Sequence, residues 1–247
     1  MDTPSPDGPI GVLGEGPPKS TVRRAVTDHG STVVDGDAAT VYAADPPLVI
    51  TVDPPALRTA LDRAPDTPVY PVGIDDPYGA TPPALDRVVA SLLTGGYTVE
   101  HRPVLQVSTA STAVPAVLDA TLMTEEPARI SEYDIDLGTG PDPGSVRADG
   151  VVVATPAGST GYAAAAGGPT VTPGTEAVSV VPVSPFAVDR PTWVVDPPVT
   201  VTVRREEGAV SLYADGGHVA TVPRGDPVTV DAHGTAAIAT VPPDEKT

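Results

Sequence analysis

With 247 residues, the chain is long enough for one large domain or two modest ones. Its 14 lysines and arginines stand against 32 aspartates and glutamates, a net charge of −18 that excludes nucleic acid and anionic membranes as partners, because both attract basic surfaces. The absence of cysteine excludes disulfides, thiolate catalysis and cysteine-based metal sites. The 4 histidines are scattered without ligand spacing, so we expect no metal.

The sequence also bears on the compartment. No apolar run reaches the ~18 residues of a membrane-spanning helix, and the N-terminus has neither the basic nor the apolar part of a signal peptide. We therefore expect a cytoplasmic protein. The acidic residues are dispersed along the chain instead of forming a tail, which favours a halophilic protein in molar salt, where charge is screened over roughly 3 Å. The alternative is an acidic partner-binding protein.

Up to about residue 100, short apolar runs alternate with helix-like segments. Strands are predicted at 10–14, 31–36, 47–53 and 68–74, and helices at 19–30, 56–64 and 82–96. The last of these helices has proline in its first turn and Gly95-Gly96 after its end, the usual positions of these two residue types. Strands that alternate with helices predict a small parallel, doubly wound sheet.

After Tyr97, apolar and polar residues alternate in short runs separated by turn residues, which predicts a β-rich half. The predicted strands are 98–110, 128–137, 150–156, 178–184, 199–207, 210–215, 218–222, 228–231 and 236–241. Residues 138–146 (GTGPDPGSV) have the composition of an exposed hairpin loop. We therefore predict an α/β domain over residues 1–100 and a β-rich domain over 101–247, whose last residues can return to the first domain.

The most informative segment, ADGVVVATPAGSTGYAAAAGGPTVTP, occupies residues 148–173. It begins with an Asp-Gly pair, continues into an apolar strand and then turns into a helix of small residues that ends at a Gly-Gly pair. Gly158 can let a ligand approach the backbone closely, and Ser159 and Thr160 supply hydroxyls beside the free N–H groups of a helix start. The alanines that follow leave room for a flat ligand.

This segment resembles the NAD kinase family, in which Asp-Gly, an apolar strand and TPTGSTAY precede a small-residue helix and GGP. Weaker resemblances flank it: PVGIDDPYGA at 71–80, PARISEYDI at 127–135, PVSPFAVDRP at 182–191 with Phe186 where the family usually has histidine, and YADGG at 213–217. The resemblance implies an NAD-kinase-like fold, with a small doubly wound α/β domain and a β-rich dinucleotide-binding domain. It also implies a homo-oligomer, since sites in this family lie near subunit contacts.

Members of this family transfer a phosphoryl group from ATP or polyphosphate to the 2′-hydroxyl of the adenosine ribose of NAD, which forms NADP. The resemblance implies that NAD or NADP is the ligand, with Tyr162 stacking on or walling the adenosine. Asp149 would accept a hydrogen bond from a ribose hydroxyl, of this subunit's ligand or a neighbour's. Without the resemblance, Asp149 is a hairpin-turn residue and Tyr162 a core aromatic. The implied ligand-binding residues are Asp119, Asp149, Thr155, Ala157, Thr160, Gly161, Tyr162 and Ala165.

The chain departs from the family where phosphoryl transfer takes place. Active members have GGDGT after the third apolar strand; its glycines cradle phosphate, while its aspartate, with Mg²⁺ nearby, orients or deprotonates the 2′-hydroxyl. Here residues 53–57 read DPPAL, so Pro55 stands at the catalytic aspartate, and proline has no N–H to offer a phosphate. Pro54-Pro55 are instead predicted to begin the next helix. Asp53 can replace the lost acid only if the register slips by two residues.

A second family motif, an Asn-Glu pair whose asparagine reads adenine, falls at Leu118-Asp119. Asp119 either preserves the acidic contact or is a solvated loop residue. We therefore predict no catalytic residue and no metal, in a protein that binds NAD or NADP with impaired or absent kinase activity. One alternative is an active NAD kinase that uses Asp53 or Asp119 with ATP and Mg²⁺. The other is a non-catalytic partner subunit of a true NAD kinase, which has lost ligand binding as well.

Overall fold

A computed structural model describes residues 5–72, 85–126, 129–138, 143–187 and 191–242. The chain divides into two compact units: unit 1 contains residues 1–102 and 235–247, and unit 2 contains residues 103–234. Unit 2 is therefore inserted into unit 1 in sequence. Most of the family-like segment at 71–80, part of the predicted loop at 138–146 and the end of the chain lie outside the described residues. Within the described part, no helix is long and apolar enough to cross a membrane.

Unit 1 is the α/β part of the molecule. Its elements are β1 Ile10–Leu13, α1 Pro17–Asp28, β2 Val33–Asp35, α2 Ala38–Ala43, β3 Val49–Thr51, α3 Pro54–Arg63, β4 Val69–Pro71, α4 Leu85–Leu93 and the end of β16 Pro227–Thr240. These strands pair in parallel in the order β2-β1-β3-β4-β16. Because the order reverses between β1 and β3, the sheet is doubly wound, as predicted.

The core of unit 1 follows from the spacing of its apolar residues. β1 and β3 are buried along their whole length, as in a sheet covered by helices on both faces. The buried residues of α4 lie on one helix face: Leu85, Val88, Val89 and Leu92. α2 was not predicted, because it is only 6 residues long and begins at a local cap, where the Asp37 carboxylate accepts the N–H of Thr40 at 2.7 Å.

Unit 2 is β-rich, and its antiparallel strands share one core. Its elements are the greater part of β5 Thr98–Ser108, then β6 Ala113–Ala116, β7 Asp119–Thr124, β8 Ser131–Asp136, β9 Ser145–Ala148, β10 Gly150–Ala154, α5 Tyr162–Ala165, β11 Val178–Val183, β12 Trp193–Val195, β13 Val199–Arg205, β14 Val210–Ala214, β15 Gly217–Val222 and the beginning of β16. One sheet has the order β12-β11-β10-β7-β14-β15. The strands β16, β13, β8 and β9 are hydrogen-bonded to one another in that order in a second sheet. Apolar side chains from both, such as Leu122, Tyr133 and Val201, pack together. The two units confirm the predicted fold class.

Three features of unit 2 differ from the prediction. The strands predicted at 228–231 and 236–241 are one strand, β16, which continues through Gly234 because glycine tolerates its φ of 100°. The strands β6, β7, β9 and β12 were not predicted, and β7 begins inside the segment interpreted as a binding motif. The small-residue helix is reduced to a 3-10 turn at Gly158–Thr160 and the 4-residue helix α5, after which Gly167 turns the chain at a φ of 92°.

Candidate functional site

The turn that follows β10 contains most of the predicted ligand-binding residues. Thr155, one of them, is 1% exposed; its N–H donates to the Leu118 carbonyl at 2.8 Å and its hydroxyl to the Val117 carbonyl at 2.7 Å. The same hydroxyl accepts the N–H of Gly158 at 3.2 Å. Thr155 therefore ties the turn to the segment before β7, and its hydroxyl is engaged inside the protein.

Gly158 has a structural reason to be glycine. A Cβ atom there would lie 2.1 Å from the Leu118 carbonyl oxygen, so no other residue fits without a backbone shift. From the sequence we expect a ligand to approach this glycine, whereas in the structure it is the backbone at Leu118 that approaches. Ser159 is also turned inward: its buried hydroxyl donates to the Pro156 carbonyl at 2.8 Å and accepts the N–H of Val171 at 2.9 Å.

The outer side of the same turn carries the remaining predicted residues. Thr160 and Ala165 are exposed, and Ala157 and Gly161 are half-buried. Tyr162 is 42% exposed, which leaves part of its ring accessible. An open cleft of about 340 Å³ begins at this ring and is lined by Tyr162, Ala165, Ala166, Val183, Ser184 and Pro185. A ring beside such small side chains can stack on a flat ligand.

Phe186 extends this exposed surface beyond the cleft residue Pro185. It is 69% exposed, and its N–H donates to the Arg147 carbonyl at 2.8 Å. The Arg147 guanidinium lies 5.3 Å from the centre of the Phe186 ring, within the range of a cation–π interaction. A positive charge therefore lies next to the aromatic ring that replaces the family's usual histidine.

Two acidic residues are electrostatic neighbours of Tyr162. Asp119 begins β7, and Asp149 lies between β9 and β10, where backbone hydrogen bonds hold it against the adjoining strands. Burial raises the pKa of Tyr162, and the charges of Asp119 and Asp149 raise it further. Burial also raises the pKa of Asp119, while a hydrogen bond from the Thr121 hydroxyl to its carboxylate, at 2.9 Å, lowers it. Both acids, from separate parts of the sequence, thus lie within electrostatic range of the Tyr162 hydroxyl.

A further residue, to which no role was assigned from the sequence, binds the backbone of Asp119 and of the two residues before it from the interior of the protein. Asp215 lies in the turn between β14 and β15, is 2% exposed and has a φ of 50°. Its carboxylate accepts the N–H groups of Val117, Leu118 and Asp119 at 3.0, 2.7 and 3.2 Å. Burial raises the pKa of Asp215 to about 7; the backbone hydrogen bonds oppose this effect and the charge of Asp119 adds to it. Only the family-like YADGG turn pointed to this residue in the sequence.

The loop after β3 is taken up by the start of α3. Asp53 caps this helix, since its Oδ1 accepts the N–H of Ala56 at 2.7 Å. Its Oδ2 accepts the N–H of Glu15 at 2.6 Å, and Pro54 and Pro55 form the first turn, as predicted. Both carboxylate oxygens of Asp53, the residue considered as a replacement for the lost acid, thus accept backbone N–H groups. Among the described residues, no group of three or more histidine, aspartate or glutamate side chains could hold a metal ion.

Comparison with known proteins points to one family. Residues 119–240 match the ATP-NAD kinase C-terminal domain. The NAD kinase of Symbiobacterium thermophilum is 35% identical over 153 residues, which cover 59% of this chain and 52% of that protein. The NAD kinase of Methanosarcina barkeri is 42% identical over 89 residues, covering 36% of this chain and 32% of that protein. The matched part of the chain spans about half, or less, of the length of these curated relatives.

Two solved structures have the same fold. The crystal structure of an NAD kinase from Archaeoglobus fulgidus in complex with ATP has a TM-score of 0.66 and 21% identity, and covers 93% of this chain and 92% of its own. The crystal structure of yeast NADH kinase complexed with NADH has a TM-score of 0.71 and 16% identity, and the match covers 97% of this chain and 90% of that chain. These similarities confirm the predicted NAD-kinase-like fold.

Proposed function

We propose, on the premise that this chain belongs to the NAD kinase family, that it binds NAD(H) or NADP(H) through unit 2 and has impaired or no kinase activity. The observation that carries the proposal is the exposed ring of Tyr162, which lines an open cleft and lies within electrostatic range of Asp119 and Asp149. Two carboxylates and an accessible aromatic ring offer a ribose hydroxyl its acceptors and an adenine ring its stacking partner. The relatives complexed with ATP and with NADH support a nucleotide as the ligand.

The proposed ligand-binding residues have different tasks. Tyr162 would stack on the adenine, and Asp149 would accept a hydrogen bond from a ribose hydroxyl. The exposed Thr160 and Ala165, with the half-buried Ala157 and Gly161, would form the wall against which the nucleotide lies. Thr155 belongs to the proposal as a support of the turn, because its hydroxyl is already bonded to the Val117 carbonyl.

Loss of kinase activity is supported by the loop after β3. Phosphoryl transfer depends on positioned N–H groups and charge that neutralise the phosphate oxygens. Pro54 and Pro55 have no N–H, and Asp53 uses both carboxylate oxygens to hold Glu15 and Ala56. ATP with Mg²⁺ does not fit the groups this loop offers, so we assign no catalytic residue there.

A second candidate function is an active NAD kinase that uses Asp119. The favouring observation is that burial raises the pKa of this carboxyl, which brings an acid closer to the pKa of an effective general base. The third candidate is a partner subunit that binds no nucleotide, and no feature of the described residues favours it. Turnover separates the first two candidates, and ligand binding separates both from the third.

The compartment and the oligomeric state of the protein are also part of the proposal. A net charge of −18 spread along the chain supports a cytoplasm at molar salt, and family sites near subunit contacts support a homo-oligomer. Experiments therefore belong in molar KCl, with the oligomeric state measured by light scattering in the same buffer.

Ligand-dependent stability tests the binding proposal. We expect NAD or NADP at about 100 times Kd to add roughly 2.7 kcal/mol to the free energy of unfolding, and thermal unfolding in molar KCl would measure it. NAD, NADH, NADP and NADPH are each titrated to millimolar concentration. The same titrations are made with Asp149→Ala, for which we expect a smaller shift of Tm because the acceptor for the ribose hydroxyl is lost. If no dinucleotide shifts Tm, the binding proposal is refuted and the partner-subunit candidate replaces it.

A further inference from the structure

We propose that Asp215 is a positioning residue for dinucleotide binding: from the interior, it fixes the segment that carries Asp119 and supports the Tyr162 turn. The inference deepens the proposed function and rests on it. Asp215 is 2% exposed and does not line the cleft. Its effect on a ligand would therefore be transmitted through the backbone.

Asp215 first fixes the segment at the start of β7 through hydrogen bonds. One carboxylate accepts three consecutive backbone N–H groups, those of Val117, Leu118 and Asp119, within 2.7–3.2 Å. The N–H of Asp215 itself donates to the Asp119 carbonyl at 2.9 Å. Its φ of 50° is a conformation that aspartate, asparagine and glycine adopt more readily than other residues. Because one side chain accepts the N–H groups of three successive residues, it fixes the course of that segment.

The second step leads from this segment to the ligand-facing turn. While their N–H groups point to Asp215, the carbonyls of Val117 and Leu118 accept the hydroxyl and the N–H of Thr155, at 2.7 and 2.8 Å. The Leu118 carbonyl also fits against Gly158, with no room for a Cβ atom between them. The segment 117–119 is thus held by Asp215 on one side and holds the turn on the other.

The third step is that both ligand-facing groups depend on the same anchor. The Asp119 side chain projects from the anchored segment itself, and Tyr162 follows directly after the turn that Thr155 and Gly158 attach to it. Release of the three N–H groups would displace an acidic and an aromatic ligand contact together. Core packing alone would not couple them in this way.

A graded series of substitutions tests this inference. Asp215→Asn keeps Oδ1 as acceptor for Leu118 and Asp119 but turns an amide NH₂ towards the N–H of Val117. Asp215→Gly removes all three bonds while suiting the φ of 50°. Val201→Ala is the control, since Val201 is fully buried in the core of the same unit and its truncation lowers stability without touching the anchor.

Dissociation constants for NAD and NADP are measured by calorimetry at a temperature where circular dichroism shows every variant folded. We expect Asp215→Asn to weaken binding about tenfold, Asp215→Gly to weaken it more, and Val201→Ala to leave it unchanged. Unchanged affinity in Asp215→Asn, or affinity that follows Tm across all variants including the control, overturns the inference. A wild type that binds no dinucleotide refutes the proposed function, and the inference with it. If Asp215→Gly fails to fold, Asp215→Asn decides.

Discussion

The turn after β3 and the turn after β10 both lead from a buried strand into a helix, and they differ in which residues make the structural hydrogen bonds. After β3, the carboxylate of Asp53 binds the N–H groups of Glu15 and Ala56, and prolines form the helix start. After β10, the buried hydroxyls of Thr155 and Ser159 make the equivalent bonds, so the neighbouring exposed side chains stay free to meet a ligand. In the turn after β10, the residues that hold the backbone are therefore not the exposed ones proposed to meet a ligand.

The same contrast is consistent with the proposal that the chain has impaired or no kinase activity and binds a dinucleotide. The two turns lie in different units, each with its own core cluster. Pro54 and Pro55 belong to unit 1, whereas Thr155 and Gly158 form their hydrogen bonds within unit 2. We therefore expect that substitutions in the loop after β3 can change phosphoryl transfer without changing the turn after β10.

The largest expected effect concerns catalysis. We expect no measurable NADP formation from NAD with ATP or polyphosphate and Mg²⁺ at high salt. Loss of a catalytic base costs about 10²–10⁴-fold, and loss of a phosphate-stabilising N–H costs about 10²–10³-fold. An enzyme-coupled NADP assay, with an active NAD kinase added as the positive control, measures this. Robust turnover would contradict the contrast between the two turns, and Asp53→Asn and Asp119→Asn would then identify the acid.

The next effect concerns the outer side of the turn after β10. We expect Tyr162→Ala to weaken dinucleotide binding about tenfold to a hundredfold, because an aromatic side chain that stacks on a base contributes about 1–3 kcal/mol. Val194→Ala is the matched control, since Val194 is 50% exposed but lies on β12, outside the residues that line the cleft. Calorimetric titration with NADP measures both. A Tyr162→Ala variant with lowered Tm and wild-type affinity would make Tyr162 a packing residue.

The smallest effect, taken over one pH unit, concerns the free energy of unfolding. The pKa of Asp215, about 7 in the folded chain, lies above its ordinary value of 3.8, so between these values the folded state binds the proton more tightly than the unfolded chain. The free energy of unfolding therefore gains most below about pH 4 and loses this contribution as pH rises towards 7. Relative to Asp215→Asn, we expect wild type to lose at most about 1.4 kcal/mol per pH unit in this window.

Urea titrations of both proteins at fixed KCl concentration, at half-unit steps of pH, measure that difference. The Asp215→Asn variant is the reference because it carries the other acids, whose repulsion also changes with pH. A difference that stays constant, or that grows in favour of wild type as pH rises, contradicts a raised pKa for this carboxyl.

Much of the fold could be predicted because its signals are local. Apolar spacing predicts α4, the alternation of strands and helices predicts the doubly wound sheet, and Pro54-Pro55 predict a helix start that the structure has. The grouping of Asp119, Asp149 and Tyr162 came from the family resemblance, since no local pattern connects three residues on separate elements.

What could not be predicted depends on contacts between distant residues. The bonds of Asp215 to Val117 and Leu118 join positions 98 and 97 residues apart, and nothing near Asp215 reveals them. The reason for Gly158 is likewise distant, because the atom that excludes a side chain belongs to Leu118. A single sequence shows that a residue is unusual, but its partner is known only once the chain is folded.

The insertion of unit 2 into unit 1 has a consequence for the order in which the protein forms on the ribosome. Unit 2 is complete once residue 234 has been made, whereas unit 1 still lacks the end of β16, in which Ile238 pairs with Val69. Most chains complete their N-terminal domain first. Here unit 1 lacks its last strand until residues 235–240 have been made, so the unit whose translation begins first is completed after unit 2.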